Sequence, residues 1–221
     1  MLKQYSNKRT IKVIAISGSS GNGSSTASAL KYALQGAAAF GAEAKLIDLS
    51  YYNLAIAGSV KESDYHEDVT KFRNEVNLAD GIILGTPEYH NSISGVLKNA
   101  IDLLRKEHFE NKVVGLVGVA GGALGATNSL NHLSVICRSL HCWVSPYQVS
   151  IANSGKVFDE QKNILDERIK NRLINLGKTI AKFANAKSVL ENIESINNYV
   201  QSQYNQVAGN KMDQISLKKV V

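Results

Sequence analysis

The sequence predicts an α/β fold: one parallel sheet of five strands with helices on both faces, followed by a helical extension at the C-terminus. Two observations carry this. Short β-branched apolar runs alternate five times with segments of helical period, the pattern of a parallel sheet covered on both sides. The loops that leave the first, third and fourth runs are also the most unusual in the chain, and such sheets bind ligands beyond the carboxyl ends of their strands.

Residues 11–17 (IKVIAIS) stop at Gly18 and read as a buried strand. Residues 25–40 place alanines and leucines at helical spacing and close at Gly41. A second strand covers 44–48, and a loop with Tyr51, Tyr52 and Gly58 follows. Helical periodicity runs over 65–78. The third strand, 81–86, is ended by Pro87, which cannot extend a central ladder and turns the chain out at the sheet's edge. Residues 94–104 form a helix with Ser94 as N-cap. The fourth strand covers 112–119, a helix 125–140, and the fifth strand 143–151. Pro146 moves part of that last strand towards a sheet edge. A long helix covers 159–185.

Right-handed crossovers restrict the topology. The common strand order 2-1-3-4-5 sets the first and third strands side by side at a switch point. The loops after Ser17, Thr86 and Val119 should therefore converge. Residues 1–187 make up this domain and 188–221 an extension rich in Asn, Gln, Ser and Lys. Within it, 188–204 carries a weak apolar stripe of Val189, Ile193, Ile196 and Val200. It reads as a helix packed on the domain or on a partner subunit, with a tail from Gly209.

The formal net charge of +6 suits phosphate-bearing cofactors as well as nucleic acid. No dense Lys/Arg cluster stands outside Lys218 and Lys219, so the basic face that nucleic acid needs is not visible. Cys137 and Cys142 have neither CxxC spacing nor a second pair to complete a zinc site. They read as reduced core thiols on or beside a helix. Residues 1–12 carry no apolar leader core, and no run approaches the roughly 20 apolar residues of a membrane span. The expectation is a cytoplasmic protein without a nucleic-acid, membrane or metal partner.

Residues 18–26 (GSSGNGSST) lie between a strand and a helix. Backbone N–H groups at a helix N-terminus face outward and the macrodipole favours an anion there. Ser19, Ser24, Ser25 and Thr26 add hydroxyl donors, so the loop reads as a phosphate cradle. The glycine spacing is that of a P-loop, but Ser24 stands where a P-loop needs lysine. The dinucleotide pattern fails too, because its third glycine would fall at Thr26. What remains is a single terminal phosphate, such as FMN carries. A plain serine/glycine turn with Ser24 or Ser25 as N-cap fits the same letters.

Residues 86–95 (TPEYHNSISG) lead into 96–104 (VLKNAIDLL). Backbone N–H groups and the Asn91 amide could face a planar ring with acceptors on its edge, with Tyr89 and His90 as an aromatic wall. The stretch from Thr86 to Asp102 closely resembles the NADPH-dependent FMN reductase family, whose signature T-P-E-Y-x-x-S-x-x-G-x-L-K-N-A-I-D is matched at every named letter. The first loop resembles that family's G-S-x-R-x-x-S loop in Gly18, Ser19 and Ser24. It departs at Gly21, where the family commonly has arginine, a charge partner for the phosphate. Residues 118–125 (GVAGGALG) are similar to the family's glycine-rich loop beneath the flavin pyrimidine.

The resemblance spans residues 11–184 and implies a flavodoxin-like three-layer sandwich that binds FMN non-covalently. It implies hydride uptake from NAD(P)H and electron delivery to flavin, quinone, azo or metal-oxyanion acceptors. It also implies a homodimer or homotetramer, for which 96–104 is a candidate interface, ordinary core packing being the other explanation of that stretch. By the same resemblance, Ser19, Ser24, Ser25 and Thr26 hold the phosphate. Pro87, Glu88, Tyr89, His90 and Asn91 line the isoalloxazine edge, and Ala120, Gly121, Gly122 and Gly125 face its pyrimidine end. No protein nucleophile is needed, because the flavin carries the redox chemistry. His90 is a candidate proton donor to reduced acceptors. On the residues alone two other readings stay open. One is a non-enzymatic flavodoxin-type electron carrier, against which the positive charge speaks. The other is a flavin-free phosphate- or nucleotide-binding module, suggested by Gly21.

Overall fold

A computed structural model describes residues 9–21 and 23–217, with side chains of the last helix described to 205 except 203 and 204. The strands are β1 (Lys12–Ser17), β2 (Glu43–Asp48), β3 (Gly81–Tyr89), β4 (Ser92–Ile93), β5 (Val113–Val119) and β6 (Trp143–Ile151). The helices are α1 (Ser25–Ala39), α2 (Glu67–Asn77), α3 (Gly95–Asp102), α4 (Thr127–Ser139), α5 (Ser154–Val157) and α6 (Glu167–Leu217). All strands but β4 run parallel in the order β2-β1-β3-β5-β6. This is the expected 2-1-3-4-5 arrangement. The addition is β4, two residues paired antiparallel to the end of β3.

Strand alternation sends successive side chains to opposite faces. Val13 and Ala15 of β1 pack with α1 and with Leu173, Leu176 and Ile180 of α6. Ile14 and Ile16 pack with Phe72 of α2, Leu97 of α3 and Leu130 of α4. The sheet is thus buried on both sides, as its continuous apolar strands require. On the first face, Gly36 of α1 lies against the Ile174 backbone, and Gly177 of α6 against the Ala33 backbone. A Cβ at either position would overlap a main-chain carbonyl, so the two helices touch backbone to backbone.

Pro87 does not end the third strand. Residues two apart in a strand direct their backbone groups to the same neighbour. The Gly85 carbonyl accepts from Gly18 N–H at 2.8 Å, so Pro87 faces the same side, past Ser17 where β1 has stopped. Its missing donor costs nothing there, and it stays in register with Val119 of β5. β6 is an edge strand whose register shifts beside Gly115, next to Pro146. The helix expected from residue 159 begins later. The Asp159 carboxylate accepts from Asn163 N–H at 2.7 Å, and Asp166 accepts from Arg168 N–H at 2.8 Å. Short polar side chains of this kind compete with helical bonding until they cap it.

The chain divides into a compact unit, Met1–Ala184, and a second, Asn185–Val221. Helix α6 continues to Leu217 without the break expected near 186 and through the expected tail from Gly209. Lys218 and Lys219 lie outside the described residues. Among those described, no helix is long and apolar enough to cross a membrane, and no cluster of His, Cys, Asp or Glu could hold a metal ion. Cys137 and Cys142 are free. The neighbouring Cys142 thiol and burial push the Cys137 thiol up, keeping it neutral.

Candidate active site

The loops after β1 and β3 are joined by a buried set of hydrogen bonds. Ser94, N-cap of α3, donates from Oγ to the Gly18 carbonyl at 2.5 Å and accepts from Leu97 N–H at 3.1 Å. Ser94 N–H donates to Thr86 Oγ1 at 3.0 Å, and that hydroxyl donates to the Pro87 carbonyl at 2.8 Å. Thr86 and Ser94 are both buried. One side chain therefore caps a helix and fixes where the first loop leaves the sheet.

His90 and Asn91 form the tip of the β3–β4 hairpin, with φ of 50° and 61°. Positive φ at both central residues gives the turn that suits the twist of the flanking strands, and Asn and His tolerate it better than most residues. The tip is exposed. The hairpin is tied to α4 at two points. Glu88 accepts from Ser129 N–H at 2.9 Å, placing a carboxylate on the first turn of α4. Ser92 Oγ and His132 Nδ1 lie 3.0 Å apart.

The first loop is held much less. Ser24 caps α1, its Oγ accepting from Ala27 N–H at 3.1 Å and keeping its own proton free to donate. Ser19 is buried, and its Oγ accepts from Gly21 N–H at 3.4 Å. The hydroxyls of Ser25 and Thr26 have no partner among the described residues, although Thr26 is buried. Beneath them, Ser17 Oγ is buried with no hydrogen-bond partner. Ser17 follows Val13 and Ala15 in alternation, which sets it on the α1 face. Unpaired donors thus gather at the N-terminus of a helix, where the macrodipole favours an anion. These residues fit the phosphate of FMN.

The third loop closes the site. Carbonyls of Ala120 and Gly122 accept from Ser154 and Asn153 N–H, both at 3.0 Å, and Ser150 Oγ accepts from Ala126 N–H at 2.8 Å. Gly125, with φ of 70°, has no room for a Cβ beside Ser150 Oγ. The N–H groups of Gly121, Gly122, Ala123 and Leu124 have no partner among the described residues. Leu124 in this loop is 92% exposed and Tyr89 on the hairpin 54%, so each loop adds an exposed apolar side chain to the free donors. That combination suits a flat heteroaromatic edge.

The expected site residues are therefore brought to one end of the sheet. Glu88 is the exception in orientation, since its carboxylate is engaged with α4. Ser17, Ser94 and Ser150 were not singled out by the sequence. Ser17 could have been found as a hydroxyl closing an apolar strand, as Thr86 also does; Ser94 was read only as a cap. The stretch 96–104 gives its apolar side chains Leu97, Ala100, Ile101, Leu103 and Leu104 to the core.

Residues 11–156 match the model of the NADPH-dependent FMN reductases. An FMN-dependent NADPH-azoreductase of Staphylococcus aureus is 34% identical over 148 residues, 65% of this chain and 78% of that protein. An NADPH azoreductase of Bacillus sp. (strain OY1-2) is 33% identical over 132 residues, 58% of this chain and 74% of that protein. Among solved structures, the NAD(P)H:acceptor oxidoreductase FerB from Paracoccus denitrificans superposes with a TM-score of 0.66 at 18% identity, over 80% of this chain and 99% of that one. The sheet order and the matched signature agree with this, and the chain belongs to the NADPH-dependent FMN reductase family, enzymes that use FMN and a reduced nicotinamide.

Proposed function

We propose that this enzyme passes electrons from NADPH to azo compounds through FMN laid across the three loops. The azo acceptor is inferred from the two azoreductase relatives. The single observation that carries the placement is the set of unpaired donors at the start of α1. Ser19, Ser24, Ser25 and Thr26 hold the phosphate, with backbone N–H groups of the same turn. Pro87, Tyr89, His90 and Asn91 border the isoalloxazine ring, while Glu88 acts there through its backbone and holds the hairpin on α4 through its carboxylate. Ala120, Gly121, Gly122 and Gly125 meet the pyrimidine end.

Bound FMN supplies hydride acceptance and onward electron transfer; the protein contributes position, since transfer needs the two rings stacked closely. Family membership favours a reductase over a simple carrier. Residues 188–221 are an appendage to the catalytic domain, the enzyme is a homo-oligomer, and its free thiols suit the cytoplasm. The test is direct. Protein loaded with FMN and mixed anaerobically with NADPH should lose its flavin absorbance, then recover it while bleaching an azo dye. Protein that stays colourless in excess FMN, or is not reduced by NADPH, would refute the reading.

A further inference from the structure

The family match ends at residue 156, before the unit Asn185–Val221 begins. It is helical to Leu217. Val189, Ile193 and Val200 are exposed and Ile196 half-buried. Their spacing of four, three and four residues is the a/d register of a coiled coil; the next seam positions in the sequence are Gln203 and Val207. Exposed Leu190 and Tyr199 flank this seam and widen it.

The helix has little to hold it alone. Between 188 and 206 it is built largely from Ser, Asn, Tyr, Val and Ile, residues of modest helix propensity. One ion pair, Lys187 with Glu191, supports its first turns. Helices of this kind owe their stability to packing of an apolar face. The charge pattern selects the partner. An anionic membrane calls for Lys and Arg on the polar face, and 185–217 contains only Lys187, paired with Glu191, and Lys211. A different helical partner is normally chosen by charges flanking the seam. Here the flanking positions are Leu190, Asn192, Asn197 and Tyr199, all uncharged. A seam without flanking charge has no repulsion against itself.

We propose that residues 185–217 are a coiled-coil arm that pairs with the same segment of a second copy of this chain. The test uses the full-length, FMN-loaded protein and the double variant Ile193→Asp/Ile196→Asp. Sedimentation should show the particle mass falling by at least half. Far-UV helical signal should be lost in the variant, and in the parent on dilution, as the mass falls. Asn198→Asp, on the outer face, should leave mass and helicity unchanged. Retained FMN absorbance and NADPH oxidation in the double variant report an intact compact unit and test the flavin assignment separately. A double variant of parental mass would overturn the proposal. So would a helical signal that ignores dilution while mass changes, or parental binding to phosphatidylserine vesicles that the double variant loses.

Discussion

The loop after β1 and the hairpin after β3 reach the same site but are held in opposite ways. The hairpin commits four of its polar side chains to the protein: Thr86 and Ser94 to the backbone of the first loop and of the hairpin itself, Glu88 to α4, Ser92 to His132. The first loop leaves Ser25, Thr26 and the buried Ser17 hydroxyl without partners. A paired group has little left for a ligand. An unpaired buried one costs folding free energy until something else pairs it. Under the proposed flavin placement the contrast separates scaffold from binding surface, and substitutions on the two sides should behave differently.

The largest effect is expected on the scaffold side. Ser94→Ala removes the cap on Leu97 N–H and strands the Gly18 carbonyl. Losing an N-cap costs about 1 kcal/mol, and a buried unpaired acceptor roughly 1–3 kcal/mol more. Urea unfolding should show stability reduced by about 2–4 kcal/mol. A loss under about 0.5 kcal/mol, the scatter of neutral surface changes, would show that the join is incidental.

Thr26→Val reads the opposite side. The hydroxyl has no partner to lose, so stability should hold or rise. A hydrogen bond to a charged phosphate is worth roughly 1.5–3 kcal/mol, so the FMN dissociation constant should rise about tenfold to a hundredfold. Lower stability with unchanged FMN affinity would exchange the roles assigned to the two loops.

Glu88→Gln separates the two carboxylate readings. An amide oxygen still accepts from Ser129 N–H, but the charge at the start of α4 is gone, a loss of about 0.3–1 kcal/mol that salt should diminish. FMN affinity should not change. A shifted flavin spectrum or weakened FMN binding would place that carboxylate against the ring instead.

Much of this contrast could be read from the sequence, and the part that could not has a physical cause. Alternation of apolar runs with helical segments specified a parallel sheet because buried parallel strands need apolar residues on both faces, and its strand order is that of the common five-stranded arrangement. The cluster of hydroxyls in the first loop was legible because its letters lie next to one another. Ser94 was legible only as a cap, since its bond to Gly18 spans 76 positions and follows from strand order, not from local pattern. Pro87 misled for the same reason. Whether a missing N–H matters depends on where the neighbouring strand stops, and β1 stops two residues short. Glu88 sat inside a family signature, yet the contact of its side chain with α4 emerges only when β3 and β5 are adjacent.

The smallest effect tests the most distinctive residue of the first loop. Gly21 stands where the family resemblance implies arginine, and its backbone does not require glycine: φ is not positive there, and an added Cβ meets only Ser19 Oγ at 3.9 Å. Gly21→Arg should therefore fold normally. Its guanidinium would be exposed, so the added attraction for a phosphate should be about 0.3–1 kcal/mol, a roughly two- to fivefold tighter FMN dissociation constant at low salt. That gain should vanish near 1 M salt, where screening falls to about 3 Å. Gly21→Gln, without the charge, should leave affinity at the parental value at every ionic strength. An arginine that tightens nothing at low salt would move the phosphate away from this loop, and the unpaired hydroxyls of Ser17 and Thr26 would need another explanation. An arginine that tightens FMN in a salt-dependent way would show that the open loop of this chain binds with backbone and hydroxyl donors alone.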